Sequence, residues 1–175
     1  MKKIFLMIAA FGVFSIQASD LKYNIGYEDW ELSAGGASIS TSNIILSVSY
    51  PIKYIEGLSA EAGISETIGD DSIIDGSTEA EYEASSVFLK GIYHFNETFF
   101  INLNWHNTDL KVTAKEGGLS ASVSRSDTQL GYGVGMTFDV PNLDGKIIIG
   151  YEVLDTEWVK SIDYDVDAIY LKYQF

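Results

Sequence analysis

Beyond its first eighteen residues the chain alternates apolar and polar positions with a period of two, and no segment there carries a convincing period of 3.6. A period of two is the repeat of a β-strand whose two faces meet different surroundings. Eight segments show it. Tyr23, Ile25 and Tyr27 alternate with Lys22, Asn24, Gly26 and Glu28, and Ile44, Leu46, Val48 and Tyr50 with Ile45, Ser47 and Ser49. Leu58, Ala60, Ala62 and Ile64 oppose Ser59, Glu61 and Gly63. Val87, Leu89, Tyr93 and Phe95 oppose Phe88, Lys90, Ile92 and His94, with Gly91 interrupting the apolar face. Phe99, Ile101, Leu103 and Trp105 face away from Phe100, Asn102, Asn104 and His106. Leu130, Tyr132, Val134, Met136 and Phe138 face away from Gly131, Gly133, Gly135 and Thr137. Ile147, Ile149, Tyr151 and Val153 oppose Ile148, Gly150 and Glu152, and the chain ends on Ile169, Leu171, Tyr173 and Phe175 against Tyr170, Lys172 and Gln174.

A soluble β-sandwich also alternates, but three features favour closure into a membrane barrel. The second face carries Gly, Ser, Asn, Lys and Glu, as a narrow polar lumen would. Short connections (Pro51–Gly57, Asn96-Glu97, Pro141–Gly145, which hold both prolines) alternate with long ones at about Asp29–Asn43, Ser65–Glu83, Asn107–Asp127 and Asp155–Asp163. Aromatics gather at the strand ends, as interfacial girdles do. Tyr50, Tyr93, Phe95, Phe99, Phe138, Tyr173 and Phe175 lie at the short-turn end, and Tyr27, Trp30, Trp105 and Tyr132 at the other. The pattern predicts an all-β chain, an eight-stranded antiparallel transmembrane β-barrel in an up-and-down meander. An even strand number puts both termini on the short-turn side. Such a barrel pairs every backbone polar group between strands, so it crosses lipid without an apolar helix.

The first residues read differently. Met1-Lys2-Lys3 is a short positive region, Ile4 to Phe14 is an uncharged apolar run of eleven residues, and Ser15-Ile16-Gln17-Ala18 turns polar and ends on a small residue. This is the layout of a secretory signal peptide cleaved after Ala18, and eleven residues fall short of the ~20 that a spanning helix needs. The chain is expected to divide into a signal peptide over 1–18 and a barrel domain over 19–175.

Composition narrows the function. The chain has 175 residues, 11 Lys+Arg against 25 Asp+Glu, a formal net charge of −14 and no Cys. The acidic balance argues against nucleic-acid binding, which needs a basic footprint. Absence of Cys excludes a disulfide framework and thiolate metal sites.

The leader Met1–Ala18, the eight alternating segments and the ending Tyr173-Gln174-Phe175 together resemble the small eight-stranded outer-membrane proteins of Gram-negative bacteria, of the OmpA-transmembrane-domain and OmpX kind. The resemblance covers the whole mature chain and is specific for architecture rather than activity. It implies location in the outer membrane, contact with outer-membrane lipids and lipopolysaccharide, and an assembly signal at Tyr173 and Phe175 read by the barrel-assembly machinery.

With the apolar alternates facing lipid, the inward set includes Lys22, Glu28, Glu61, Lys90, His94, Asn102, Asn104, His106, Glu152 and Lys172. Glu28, Glu61, Lys90, Glu152 and Lys172 form the expected lumenal polar network. Strand order pairs Glu61 with Lys90, Glu152 with Lys172, and Glu28 with Lys172 across the closing seam. A packed polar core is favoured over a pore, because ~8 strands leave an interior that side chains fill. The Gly131, Gly133, Gly135 strip is expected to make room for Phe88, Phe100 or Tyr170. His94 and His106 lie near opposite strand ends, so no metal site is assigned. His106-Asn107-Thr108 is similar in spacing to the His and Ser of lipid A deacylase barrels, but the hydroxyl is Thr and the face is lumenal. No catalytic residue and no cofactor are assigned, and the chain is not expected to be an enzyme.

Counted over Asp29–Glu31, Glu66–Glu83, Asp109–Asp127 and Asp155–Asp167, the long-connection side carries 17 acidic residues against Lys111, Lys115, Arg125 and Lys160. Asp163, Asp165 and Asp167 share the parity of the lipid face and must stand above the hydrocarbon. Asp70 to Gly76 looks briefly like a calcium loop, but Ile73 stands at a ligand position and Tyr82 where the closing Glu belongs. The expected role is structural or surface-interacting through acidic outer loops. A narrow porin-like channel is the first alternative and a lipid A-modifying enzyme the second. The extracellular ligand is unknown.

Overall fold

A computed structural model of the chain describes residues 20–34, 37–68, 71–75, 78–116, 119–155 and 165–175. The expected leader and the fourth outer connection therefore lie outside the described residues. The strands are β1 (Lys22–Ala34), β2 (Ala37–Pro51), β3 (Leu58–Thr67), β4 (Asp71–Asp75), β5 (Thr78–His94), β6 (Phe99–Glu116), β7 (Leu119–Asp139), β8 (Lys146–Asp155) and β9 (Asp165–Gln174). All pair antiparallel with their neighbours. β1 pairs with β9 and β3 with β5, so eight strands close on themselves in meander order. β4 is a short ninth strand added to β5 outside that ring, where the sequence reading expected only loop. It is extended, not a calcium loop.

At the short-turn end the chain reverses within a few residues. Gly57, between β2 and β3, has φ +78°, and a Cβ there would meet the His94 carbonyl, so this turn requires glycine. Asn96 Oδ1 accepts from the backbone N–H of Thr98 and Phe99, at 2.8 and 2.7 Å, and holds the β5–β6 reversal as an Asx turn.

The opposite end departs from expectation. The first and third long connections are strand almost throughout: β1 and β2 pair from Lys22↔Ser49 up to Ala34↔Ala37, and β6 and β7 from Phe99↔Met136 up to Glu116↔Leu119. The side-chain period continues unbroken along each strand, but its polarity reverses. On β6 the outward row runs Phe99, Ile101, Leu103, Trp105 and then Asn107, Asp109, Lys111 and Thr113. Its inward row runs Phe100, Asn102, Asn104, His106, Thr108 and then Leu110 and Val112. The outward change falls between Tyr27 and Asp29 on β1, Ile44 and Ser42 on β2, Ile64 and Glu66 on β3, Val87 and Ser85 on β5, Leu130 and Thr128 on β7, and Ile169 and Asp167 on β9. Below that line the outside of the barrel suits hydrocarbon. Above it the outside suits water, and on β1, β5 and β6 apolar side chains such as Trp30, Leu32, Ala84 and Leu110 turn inward, whereas β7 carries Asp127 and Arg125 on that face.

The lipid-facing expectation holds for most girdle residues: Tyr27, Tyr93, Phe95, Phe99, Tyr132, Phe138 and Phe175 are exposed on the outer surface. Trp30 is a correction. It is 1% exposed and points inward, because it lies one step above the reversal, on the parity that is polar below and apolar above. There it packs with Leu32, Ala84, Leu154, Val166 and Ala168, and Leu110 leans on this cluster. A second interior cluster joins Ile45, Phe88, Ile92, Phe100, Ile148 and Tyr170.

Candidate functional site

The interior also holds the polar network, whose lysines contact Phe88 and Tyr170 of the second cluster. Glu28, Glu61, Lys90, Glu152 and Lys172 are each exposed by 3% or less. Asn102, Asn104 and His106 are buried with them. Lys22 is exposed and His94 only half-buried, because both stand at the short-turn mouth rather than within the lumen.

The ion pairs differ from those that strand adjacency suggests. Glu61 and Lys90 are register partners on β3 and β5. Yet Lys90 Nζ donates to both oxygens of Glu152 on β8, at 2.7 and 2.8 Å, and Lys172 Nζ to both oxygens of Glu61, at 2.6 and 2.8 Å. The pairs thus cross the lumen. Two features permit this: a lysine stem reaches across a barrel this narrow, and Gly133 beside Glu152 leaves space where a Cβ would touch the Glu152 stem. Glu28 does not meet Lys172; it accepts from Ser65 Oγ.

Each paired carboxylate also accepts a further hydrogen bond, which offsets part of the cost of burying the ion pair. Ser47 Oγ donates to Glu61 at 2.6 Å and Asn24 Nδ2 to Ser47 at 3.0 Å. Asn102 Nδ2 donates to Glu152 at 3.1 Å and Asn104 Nδ2 to Asn102 at 3.1 Å. The Tyr170 ring contacts both ammonium groups, with each Nζ 4.8 Å from its centroid. Lys90 Nζ also lies 4.6 Å from the centre of Phe88. Tyr170 was expected only as filler beside the glycine strip. Its contact with both cations joins β9 to side chains of β5 and of its own strand, which no single-strand pattern reveals.

The glycines are packing sites. A Cβ on Gly135 would strike the Phe100 ring, one on Gly150 the Tyr170 ring and one on Gly63 the Phe88 ring. Of the three aromatics expected over the strip, Phe100 alone covers it; the other two sit over glycines of β8 and β3.

His106 and Thr108 do not pair. Thr108 Oγ1 donates to Gln129 at 3.0 Å, while His106 Nδ1 lies 3.1 Å from Ser86 Oγ and its Nε2 3.9 Å from Glu152. Ser86, His106 and Glu152 thus line up as hydroxyl, imidazole and carboxylate, a juxtaposition that the sequence hides because three strands supply it. His106 is 1% exposed, stacked on Phe88 with ring centroids 5.3 Å apart and set edge-on to Trp30. In this arrangement the imidazole has almost no contact with solvent. No group of three His, Asp or Glu arranged to hold a metal occurs among the described residues.

At the strand ends, Tyr173 and Phe175 stack with ring centroids 6.1 Å apart, and Phe175 stacks on Tyr23. The outer rim presents Asp29, Glu31, Glu66 and Glu83 on its exposed face. Lys111 bonds Glu83 there at 2.9 Å, and Lys115 bonds Glu81.

Closed meander, apolar belt and polar interior define a class: the fold is that of the small eight-stranded outer-membrane β-barrels. Among solved structures, Ail, the attachment invasion locus protein of Yersinia pestis, in complex with the heparin analogue sucrose octasulfate, superimposes with a TM-score of 0.62 at 20% identity, over 89% of this chain and 97% of that one. Neisserial surface protein A superimposes with 0.64 at 13% identity, over 89% and 96%. A major outer membrane protein of Thermus thermophilus gives 0.57 at 11% identity, over 89% and 99%. No family model matches the chain, and no curated protein matches it in sequence.

Proposed function

We propose that this chain is an outer-membrane surface protein without enzymatic activity, acting as a closed scaffold that displays an acidic outer rim. The observation that carries this reading is the polarity reversal shared by the barrel strands. It divides the molecule into a part suited to lipid and a part suited to water above it, and the latter is a β-walled platform rather than a set of loose loops. The lumen supports a scaffold over a channel, since crossed ion pairs and two apolar clusters occupy its cross-section. Burial of His106 and Ser86 argues against lipid chemistry.

In this reading residues 1–18 are a cleaved leader, and Tyr173 and Phe175 are the signal read during barrel assembly. The water-facing rim sits against lipopolysaccharide headgroups. The solved Ail complex contains a polysulfated sugar. A rim dominated by carboxylates repels such a polyanion, so a cationic or neutral partner fits this chain better.

Cysteine labelling of intact cells tests the orientation. A membrane-impermeant maleimide is expected to modify Ser122→Cys on whole cells and Asn142→Cys only after the outer membrane is opened. Labelling of Asn142→Cys on whole cells would overturn the reading.

A further inference from the structure

Above the polarity reversal β6 and β7 stay paired up to Glu116↔Leu119, whereas β7 meets β8 only up to Leu130↔Asp155. Among the described residues, Leu119 to Ser124 of β7 therefore have a strand on one side only. Asp155 and Asp165 are register partners, so the chain between them goes out and back and reaches at most about five residues beyond that pair. Ser124 stands further up β7 than that, and the β8–β9 connection is too short to cover the stretch from there to Leu119. The opposite edge of the same sheet is taken up. β5 pairs with β3 up to Glu66↔Ser85 and with β4 from Asp71↔Tyr82 upward. In the gap between them Thr67 Oγ1 accepts from the Ala84 N–H at 2.7 Å and donates to its carbonyl at 2.9 Å.

The bare edge also lacks the devices that blunt sheet edges, which are proline, charge and bulges. Leu119 to Ser124 contains neither proline nor charge, and its register with β6 is unbroken. One face of the stretch is apolar: Leu119 and Val123 are 80% and 72% exposed, with Ala121 between them and Val112 and Ala114 of β6 alongside. The other face is Ser120, Ser122 and Ser124, all exposed and small enough to admit bulky neighbours. Behind these serines Lys115 is matched by Glu81 and Lys111 by Glu83, so the surroundings of the edge are close to neutral. The chain as a whole carries −14, which disfavours an acidic partner.

We infer that the edge of β7 over Leu119–Ser124 is a docking site for an extended basic peptide segment of another protein, which adds as a further strand of the sheet. Its backbone bonds the N–H and C=O groups that β6 leaves free, and its apolar side chains, at alternate positions, cover Leu119, Ala121 and Val123. The inference rests on the proposed orientation only for the side of the membrane from which the partner comes. Binding to the purified protein does not depend on it, so maleimide labelling and peptide binding fail separately.

The test uses the folded mature chain in phosphatidylcholine nanodiscs, with backbone amides followed by NMR and hydrogen exchange. The probe is an end-blocked peptide of alternating valine and threonine with a lysine at each end. It is expected to slow exchange, to saturation, at alternate amides of Leu119–Ser124, those that do not bond β6. The same peptide with its two central residues replaced by proline cannot form a strand and is expected not to bind. Glutamates in place of the terminal lysines are expected to weaken binding several-fold. The double variant Leu119→Ser, Val123→Thr changes only exposed side chains and is expected to keep the remaining wild-type spectrum while losing about tenfold in affinity. Absence of saturable protection, equal binding of the proline or glutamate peptide, or undiminished affinity in the double variant would each overturn the site.

Discussion

Lys90 shows how much a single residue contributes to the interior. Its ammonium is bound by both oxygens of Glu152 and lies against the faces of Phe88 and Tyr170. Removing it leaves a carboxylate buried without its cation, which costs about 3–5 kcal/mol, whereas removing both partners lets apolar groups replace them. Lys90→Met is therefore expected to lower the unfolding free energy in lipid by about that amount, and Lys90→Met with Glu152→Leu to recover most of it in a double-mutant cycle. Equal stability of Lys90→Met and wild type would mean that the pair does not form. Gly135 makes the opposite point, since there the missing side chain matters. A Cβ at that position meets the Phe100 ring, so Gly135→Ala is expected to cost about 1–3 kcal/mol by overpacking. Adding Phe100→Leu should return part of the loss in the same denaturation assay.

At the scale of the strand, the informative feature is the sign of the alternation. Leu103 and Ser124 both point outward, from neighbouring strands, but one lies in the lipid belt and the other above it. Leu103→Arg is expected to cost about 2–4 kcal/mol, the penalty for a cation near the bilayer midplane. Ser124→Arg should change folding into vesicles by less than about 0.5 kcal/mol, as water-facing substitutions do. Similar costs at the two positions would move the membrane boundary away from the Trp105–Asn107 step. The same feature explains why the long connections read as loops. A search for outward apolar residues ends at Tyr27, Ile44, Trp105 and Leu130, where the outward surroundings change from lipid to water. The backbone continues unchanged.

For the molecule as a whole, closure decides whether the barrel conducts. The interior is divided into an open vestibule at the short-turn end, a crossed ionic layer with an aromatic cluster, and an apolar cap around Trp30 and Leu154. A planar bilayer containing the purified protein is expected to show no resolved conductance steps. Lys90→Met with Glu152→Leu should leave it silent, since the apolar cap remains. Steps in the wild type that change size in this variant would establish the channel reading instead. If the rim faces outward as proposed, it is expected to attract basic partners and repel polyanions, and both effects should weaken as salt rises in a binding assay.

The alternation alone determined the strand count of the barrel, the direction of most side chains below the polarity reversal and the five charged residues of the interior, though not the inward turn of Trp30. These are local matters, because a period of two and the cost of charge in lipid act along one strand at a time. Only the tertiary structure decided that Lys90 pairs with Glu152 and Lys172 with Glu61, that Tyr170 contacts both lysines, and that Trp30 caps the lumen. Those outcomes depend on stagger between strands and on reach across the barrel, quantities that join positions as distant as Glu61 and Lys172, 111 residues apart in the chain. No periodicity within a single strand encodes them.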